Sequence, residues 1–145
     1  MHTVYLGLGS NLGNREANIA EAIRKISENI GVVDRKSSNI ITEPWGFDSP
    51  NSFVNAAVRC LTTLSPHNLL MATQAIERNM GRTEKTIKGN YHDRIIDIDI
   101  LLYDDISIDE DDLKIPHPLM NEREFVLKPL NEIKKQNLSI SNGYH

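Results

Sequence analysis

The amino-acid sequence predicts a single α+β domain with a ferredoxin-like βαββαβ core, in which helices pack on an antiparallel sheet, and a small C-terminal appendage. Two observations support this fold class. Segments with strand and helix character follow one another in the order strand, helix, strand, strand, helix, strand. A length of 145 residues with 39% hydrophobic residues suits one core and leaves no room for two. We expect the domain to span residues 1–133 and a polar tail to span 134–145.

The first strand is predicted over residues 3–8, which are apolar or β-branched, and a helix follows it. Asn14 is a suitable N-cap and Gly31 closes the helix. The apolar residues at helical spacing between them are Ile19, Ile23, Ile26 and Ile30. The glycine-rich segment 9–14 fits neither a dinucleotide fingerprint nor a phosphate loop. We interpret it as a tight strand-to-helix turn, which is either purely structural or brings its backbone close to a ligand.

A second strand is predicted over residues 32–42, bent in the middle by polar residues. The loop 43–51 carries the only tryptophan, Trp45, and is either a lid over a flat ligand or a plug on the core. The third strand places Phe53 and Asn55 on one face. An aromatic ring beside an amide suits a heterocyclic ligand, although a buried, hydrogen-bonded asparagine is an alternative.

The second helix is predicted to begin after the N-cap Ser65 and to stop at Gly81. Its apolar face contains Leu69, Thr73, Ile76 and Met80. Gln74 and Glu77, three residues apart, share another face, which by itself indicates only a solvated helix surface.

The central strand, residues 94–103, carries Asp97 and Asp99 on one face, because strand side chains alternate. The same face is predicted to carry Ile95, Leu101 and Tyr103. The opposite face is predicted to carry Ile96, Ile98, Ile100 and Leu102. Aspartate is unfavourable in strands, and two like charges on one face repel each other. A hard cation such as Mg²⁺, bound by both carboxylates, is the simplest way to offset this cost. A solvated outer surface is the alternative, which the apolar neighbours argue against.

Cations are concentrated in the loop 82–93 of an otherwise acidic chain. Arg82, Lys85 and Lys88 lie here, and Arg94 follows at the start of the strand with the two carboxylates. Phosphoryl transfer needs such an arrangement, because its transition state spreads negative charge over several oxygens. Surface solubility is the other explanation for these side chains.

The C-terminal part is less strongly patterned. Residues 106–108 are predicted to form a short returning strand. His117 lies between Pro116 and Pro118, so it has little freedom and either faces a ligand or lies in an exposed turn. One or two helical turns are expected over 121–126, and the segment from 134 onward is expected to be weakly ordered.

The bulk properties exclude several classes of function. A formal charge of −4 and a pI near 5.7 argue against a general nucleic-acid-binding protein. Cys60 cannot form an internal disulfide and suits a small buried thiol. The N-terminus has no signal-peptide pattern and no apolar run approaches membrane-spanning length, so we expect a cytoplasmic protein without membrane partners, acting as a monomer.

Four segments together resemble the family of 6-hydroxymethyl-7,8-dihydropterin pyrophosphokinases of folate biosynthesis. They are residues 9–12, 53–58, 94–99 and 116–117. The Arg-x-x-Asp-x-Asp-Ile-Leu run beside Pro-His is specific to that family, and the resemblance extends to about Ile133. It implies transfer of a pyrophosphoryl group from ATP to the hydroxymethyl oxygen of the pterin, with release of AMP and with two Mg²⁺ ions on the phosphates.

The resemblance also implies a role for individual residues. Asp97 and Asp99 match the magnesium ligands, and Arg82 and Arg94 match the phosphate-binding arginines. Positions that line the ATP site are matched by Gln74, Glu77, His117 and Arg123, and Lys85 stands in for a further basic residue. The pterin pocket is matched by Phe53, Phe125, Asn55 and the segment containing Thr42, Pro44, Trp45 and Gly46.

The chain departs from the family pattern just before the central strand. Many members have Gly-Pro where this chain has His92 and Asp93, in a loop about two residues longer. The resemblance gives Tyr91 and Lys85 as the counterparts of the aromatic residue and the second arginine that members commonly have in this loop. Two rival functions remain open on the sequence: a non-catalytic ferredoxin-like binding module, and a metal-dependent nucleotidyl transferase. The acidic central strand opposes an RNA-binding module, and the rival enzyme differs in which phosphorus is attacked.

Overall fold

The structure is a computed structural model that describes residues 1–42, 52–81, 95–118, 120 and 123–141, with only the backbone described from 135 onward. Within these residues the chain forms seven strands and three helices. In chain order they are β1 (His2–Ser10), α1 (Arg15–Asn29), β2 (Gly31–Lys36), β3 (Ile40–Thr42), β4 (Phe53–Thr62), α2 (Pro66–Asn79), β5 (Asp97–Tyr103), β6 (Ile108–Asp109), β7 (Lys114–Ile115) and α3 (Glu124–Ser141).

The main sheet is antiparallel throughout. Its strand order is β2-β4-β1-β5, and β3 pairs with the first residues of β4. The bent second strand of the prediction therefore corresponds to two short strands, β2 and β3, which pair with the same neighbour. β6 and β7 form a separate two-stranded hairpin. The structure confirms the predicted mixed α/β architecture with an antiparallel sheet.

The hydrophobic core lies between α1, α2 and the inner face of the sheet, which is the face carrying Val4, Leu6 and Leu8 of β1. The predicted apolar faces of both helices point into it, and Ile19, Ile26, Leu69 and Ile76 are buried. Both predicted N-caps are present. Asn14 Oδ1 accepts a hydrogen bond from the backbone N–H of Ala17 at 3.1 Å, and Ser65 Oγ accepts one from Asn68 at 3.3 Å.

The outer face of the sheet is covered at one end by α3. Leu101, Met120 and Leu130 form a second buried cluster there, against which Tyr5, Leu102 and Val126 pack. Polar contacts also join α3 to the sheet. Arg35 Nη1 donates to the carbonyl of Ile133 at 3.2 Å, and Glu132 accepts from the backbone N–H of Ser38 at 2.8 Å and from its hydroxyl at 2.7 Å.

The strict alternation predicted for the central strand fails at Leu101. Leu6 pairs with Ile100 and Tyr5 pairs with Leu102, so Leu101 is an extra residue that bulges out of the register. Tyr103 consequently joins the inner core with Ile100, and Leu102 packs on the α3 side. The prediction was wrong for Tyr103 and Leu102, because a bulge reverses the alternation of every residue beyond it.

Two further predictions need correction. β1 runs to Ser10, so Gly9 lies within the strand and not in the turn that follows it. α3 has 18 residues, Glu124–Ser141, and continues through Pro129, whereas one or two helical turns were expected over 121–126. The predicted returning strand is confirmed at Ile108, which pairs with Ile115 of the hairpin.

Cys60 is fully buried, as predicted, and is not in a disulfide. Burial raises the pKa of its thiol to about 11. In the part of the chain that the structure describes, no helix combines the length and apolarity needed to span a membrane.

Candidate active site

The candidate site lies on the outer face of the sheet, beside the α3 cluster. Here β1 contributes glycine: Gly9 pairs with Asn55 of β4 on one side and with Asp97 of β5 on the other. Gly7 pairs with Asp99, but its own face is covered, because Leu101 side-chain atoms lie 3.4 Å from where a β-carbon would stand. Gly9 thus forms a floor between an amide and a carboxylate, and the Asn55 amide and the Phe53 ring lie directly over it.

Asp97 and Asp99 lie on this outer face and are half-buried, while Ile98 and Ile100 between and beside them are buried in the core. Both carboxylates therefore point to the same side, next to the glycines of β1. Carboxylate oxygens in a partly buried setting are the ligands that Mg²⁺ prefers. The donor set of this strand fits a hard divalent cation.

The outer edge of β5 is tethered at two points. Glu77 of α2 accepts a hydrogen bond from the backbone N–H of Ile98 at its Oε2, over 2.8 Å. The backbone N–H of His117 donates to the carbonyl of Leu101 at 3.1 Å. A half-buried helix residue and the Pro-His segment thereby hold the strand that carries both aspartates.

His117 lies beside the carboxylates, with its Nε2 4.0 Å from Asp99 Oδ1. Burial of the ring lowers the pKa of His117 below its usual value, and the Arg123 guanidinium lowers it further, while Asp97 acts in the opposite direction. At neutral pH the lowered pKa favours the neutral imidazole, which can donate or accept a hydrogen bond without adding a charge.

Asn55 is 5% exposed, and its Nδ2 donates to the hydroxyl of Thr42 at 2.8 Å. This bond fixes the amide so that Oδ1 faces the floor at Gly9. A β-carbon at Gly9 would stand 3.0 Å from that oxygen and 3.6 Å from the ring of Phe53. Of the residues predicted to bind a heterocycle, Phe53, Asn55 and Thr42 therefore lie together, with the buried amide oriented by a neighbouring strand.

The first turn of α3 contributes the other predicted aromatic residue. Phe125 is half-buried, and the guanidinium carbon of Arg123 lies 5.6 Å from the centre of its ring. Arg123 is 8% exposed. A cation over an aromatic face restricts both side chains, so an aromatic ring and a buried positive charge lie together near the start of α3.

A cleft of about 240 Å³ adjoins Asp99, between β5 and the β6–β7 hairpin. It is lined by Leu70, Ile98, Asp99, Ile100, Asp111, Asp112, Leu113, Lys114, His117 and Pro118. Gln74 is half-buried on α2 and is not among these residues. The cleft combines apolar walls with polar groups, which is the usual character of a small-molecule site.

Several predicted site residues fall outside the described part of the chain. They are Pro44, Trp45, Gly46, Arg82, Lys85 and Arg94. The predictions for the loop around Trp45 and for the basic loop 82–93 therefore remain predictions.

Sequence reasoning missed three features of the site. Gly9 was assigned to a turn, although two glycines at strand spacing, Gly7 and Gly9, are a signal that other groups approach a strand closely. Leu70 and the hairpin residues Asp111 to Lys114 carry no local signal, because their place in the cleft depends on how β6 and β7 pack beside β5.

Comparison with known proteins gives concordant results. A family model described as 7,8-dihydro-6-hydroxymethylpterin-pyrophosphokinase (HPPK) matches residues 5–135. A 2-amino-4-hydroxy-6-hydroxymethyldihydropteridine pyrophosphokinase of Porphyromonas gingivalis is 46% identical over 134 residues, covering 92% of this chain and 91% of its own. The enzyme of the same name from Aquifex aeolicus is 41% identical over 134 residues, covering 92% and 81%.

Among solved structures, a crystal structure of HPPK-DHPS in complex with substrates superposes with a TM-score of 0.72 at 15% identity. The match covers 91% of this chain and 40% of that longer chain. At this identity the likeness supports the fold, and the family rests on the sequence matches.

Proposed function

The chain belongs to the 7,8-dihydro-6-hydroxymethylpterin-pyrophosphokinase family, and on this premise we propose that it transfers pyrophosphate from ATP to the hydroxymethyl group of 6-hydroxymethyl-7,8-dihydropterin. The products are AMP and the pterin diphosphate, and the reaction is a step of folate biosynthesis.

The observation that carries the proposal is the position of Gly9 between Asn55 and Asp97. Two strand intervals separate the amide from the carboxylate, a distance of about 10 Å across the sheet. A bicyclic ring held by Asn55 and Phe53 beside Gly9 can present its hydroxymethyl arm toward the aspartates. One patch of sheet therefore serves both the ring and the phosphates.

The pterin is held by its polar edge and its two faces. Asn55, oriented by Thr42, offers Oδ1 to the ring's N–H donors. Phe53 and Phe125 are the stacking residues, and aromatic rings bind flat heterocycles mainly through their faces. The resemblance assigns Pro44, Trp45 and Gly46, which lie outside the described residues, to the same pocket as Thr42.

Asp97 and Asp99 would hold Mg²⁺, with two ions expected on the triphosphate. When bound, the ions would neutralise phosphate charge and favour ionisation of the attacking hydroxyl. The fit rests on two carboxylates that share one half-buried face beside glycine, where no neighbouring side chain of β1 competes for the space.

ATP lies along β5, with its adenosine end in the cleft beside Asp99 and His117. Arg82, Arg94, Lys85 and Arg123 are the cations for the phosphates. Gln74 contributes from α2 at the edge of the same site. The neutral imidazole of His117 donates or accepts a hydrogen bond at the nucleotide without repelling the arginines.

The reaction is an in-line displacement at the β-phosphorus. A bond forms from the hydroxymethyl oxygen to the β-phosphorus, the bond from that phosphorus to the oxygen bridging the α-phosphorus breaks, and AMP leaves. The hydroxyl proton is released to solvent. Positioning of the two substrates supplies most of the rate enhancement in such reactions.

The same proposal includes the finer architecture. The strand order β2-β4-β1-β5, with α1 and α2 on one face, supports a ferredoxin-like βαββαβ core. The family match to residues 5–135 supports a single pyrophosphokinase domain over residues 1–133.

A product assay tests the function. Purified protein is incubated with Mg-ATP, with and without 6-hydroxymethyl-7,8-dihydropterin, and AMP, ADP and free pyrophosphate are separated. We expect AMP only in the presence of the pterin, with the diphosphate attached to it. Free pyrophosphate with AMP would instead indicate nucleotidyl transfer, ADP would indicate a simple kinase, and no turnover by folded protein would indicate a binding module.

A further inference from the structure

The carboxylate pair lies on an edge strand, in which one side of the backbone has no strand partner among the described residues. Ile98, between Asp97 and Asp99, pairs with Leu8 of β1 but directs its backbone N–H away from β1. That N–H lies in the backbone between the two aspartates, so a group that binds it restrains the part of the strand from which both carboxylates project.

Glu77 occupies that position. Its Oε2 lies 2.8 Å from the nitrogen of Ile98, and the bond is part-buried. A hydrogen bond from a backbone N–H to a carboxylate is stronger than one between neutral groups. Glu77 is near the C-terminal end of α2, so the bond ties the carboxylate strand to a helix that is packed in the hydrophobic core.

We infer that Glu77 is a positioning residue, which fixes Asp97 and Asp99 for the cations through Ile98 and does not itself bind the nucleotide. This inference rests on the proposed function for its consequence in catalysis. The sequence resemblance gave Glu77 an ATP-binding role, and the hydrogen bond assigns it a different one. Partners that orient metal ligands commonly change metal affinity by roughly 10- to 100-fold when they are removed.

The inference predicts different outcomes for two kinds of substitution at Glu77. In Glu77→Gln the amide oxygen can still accept from Ile98, so the tether persists without the charge. In Glu77→Ala and Glu77→Asp the tether is lost, because the side chain is absent or too short. Arg78→Ala is the matched control, since Arg78 is exposed on the same helix and adjacent in sequence.

The first measurement does not require activity. Hydrogen exchange of the Ile98 amide, followed by NMR, is expected to be slow in the wild type, Glu77→Gln and Arg78→Ala, and much faster in Glu77→Ala. Binding of Mn²⁺ in the presence of a non-hydrolysable ATP analogue, followed by electron paramagnetic resonance, is expected to weaken by roughly tenfold or more in Glu77→Ala. Glu77→Asp gives the same comparison if the alanine variant does not fold.

The kinetic measurement distinguishes positioning from nucleotide binding. Glu77→Ala is expected to raise the Mg²⁺ concentration needed for half-maximal activity and to lower kcat, with little change in KM for ATP at saturating Mg²⁺. A raised KM for ATP with unchanged Mg²⁺ dependence would overturn the inference, as would an equal effect of Glu77→Gln and Glu77→Ala on Mn²⁺ binding. Failure of the product assay would refute the proposed function and leave the exchange and Mn²⁺ results interpretable.

Discussion

Gly9 lies between the proposed pterin pocket at Asn55 and the carboxylate pair. We expect that adding a side chain at this position will impair pterin binding. In Gly9→Ala the new methyl group would stand 3.0 Å from Asn55 Oδ1 and 3.6 Å from Phe53. Such overpacking costs about 1–3 kcal/mol. We expect KM for the pterin to rise by about tenfold or more, with KM for ATP nearly unchanged, in steady-state kinetics.

Gly7→Ala is the control for this substitution, because Gly7 lies on the same face of the same strand. Its methyl group would meet flexible Leu101 side-chain atoms at 3.4 Å, which is a contact that Leu101 can relieve. Equal losses of pterin affinity in the two variants would show that β1 tolerates no added methyl group anywhere, and would contradict the role given to Gly9.

Single residues were predictable where the chemistry is local. The shared face of Asp97 and Asp99 follows from the two-residue period of a strand, and in the structure both residues lie on the same face. The bond from Ile98 to Glu77 was not predictable, because it depends on the docking of α2 against the sheet edge across 21 positions of sequence. The amide orientation of Asn55 depends in the same way on Thr42 of a separate strand.

At the scale of elements, the N-caps are the clearest test of local sequence signals. Ser65 accepts from Asn68 at the start of α2, the helix that carries Glu77. Replacing an N-cap serine by alanine typically costs about 1 kcal/mol. We expect Ser65→Ala to lower the free energy of unfolding by about that amount, measured by urea denaturation with unchanged m-value.

Ser27→Ala is the control for the cap, because Ser27 is exposed within α1 and alanine is the better helix former. That variant is expected to be neutral or slightly more stable. A loss of stability in Ser27→Ala as large as in Ser65→Ala would mean that the cap contact is not the cause.

Elements whose course depends on tertiary packing were predicted less well. α1 and α2 follow from their apolar spacing, but α3 continues through Pro129, which would ordinarily end a helix. Packing of Leu130 and Ile133, both buried, compensates for the lost hydrogen bond. The bulge at Leu101 is likewise set by its fit into the α3 cluster.

At the scale of the whole molecule, the two faces of the sheet pack against different elements. The inner face carries the main core with α1 and α2, and the outer face divides between the α3 cluster and the site. The order of elements was enough to predict this antiparallel architecture. The placement of the β6–β7 hairpin beside Asp99 was not predictable, because two-residue strands have almost no pattern of their own.

Because the ligands bind only the folded site, they should stabilise the whole domain. Mg²⁺ with a non-hydrolysable ATP analogue at about 100 times its Kd contributes roughly 2.7 kcal/mol, or a rise in Tm of about 5–10 °C for a domain of this size. In Asp97→Asn the Mg²⁺-dependent part of this rise is expected to disappear, since an amide is a poor ligand for Mg²⁺, while the isosteric side chain preserves the fold. Thermal denaturation with Mg²⁺ or with a chelator measures the difference, and Asp105→Asn, in an exposed turn, should keep the full rise. An undiminished Mg²⁺ effect in Asp97→Asn would remove Asp97 from the metal site.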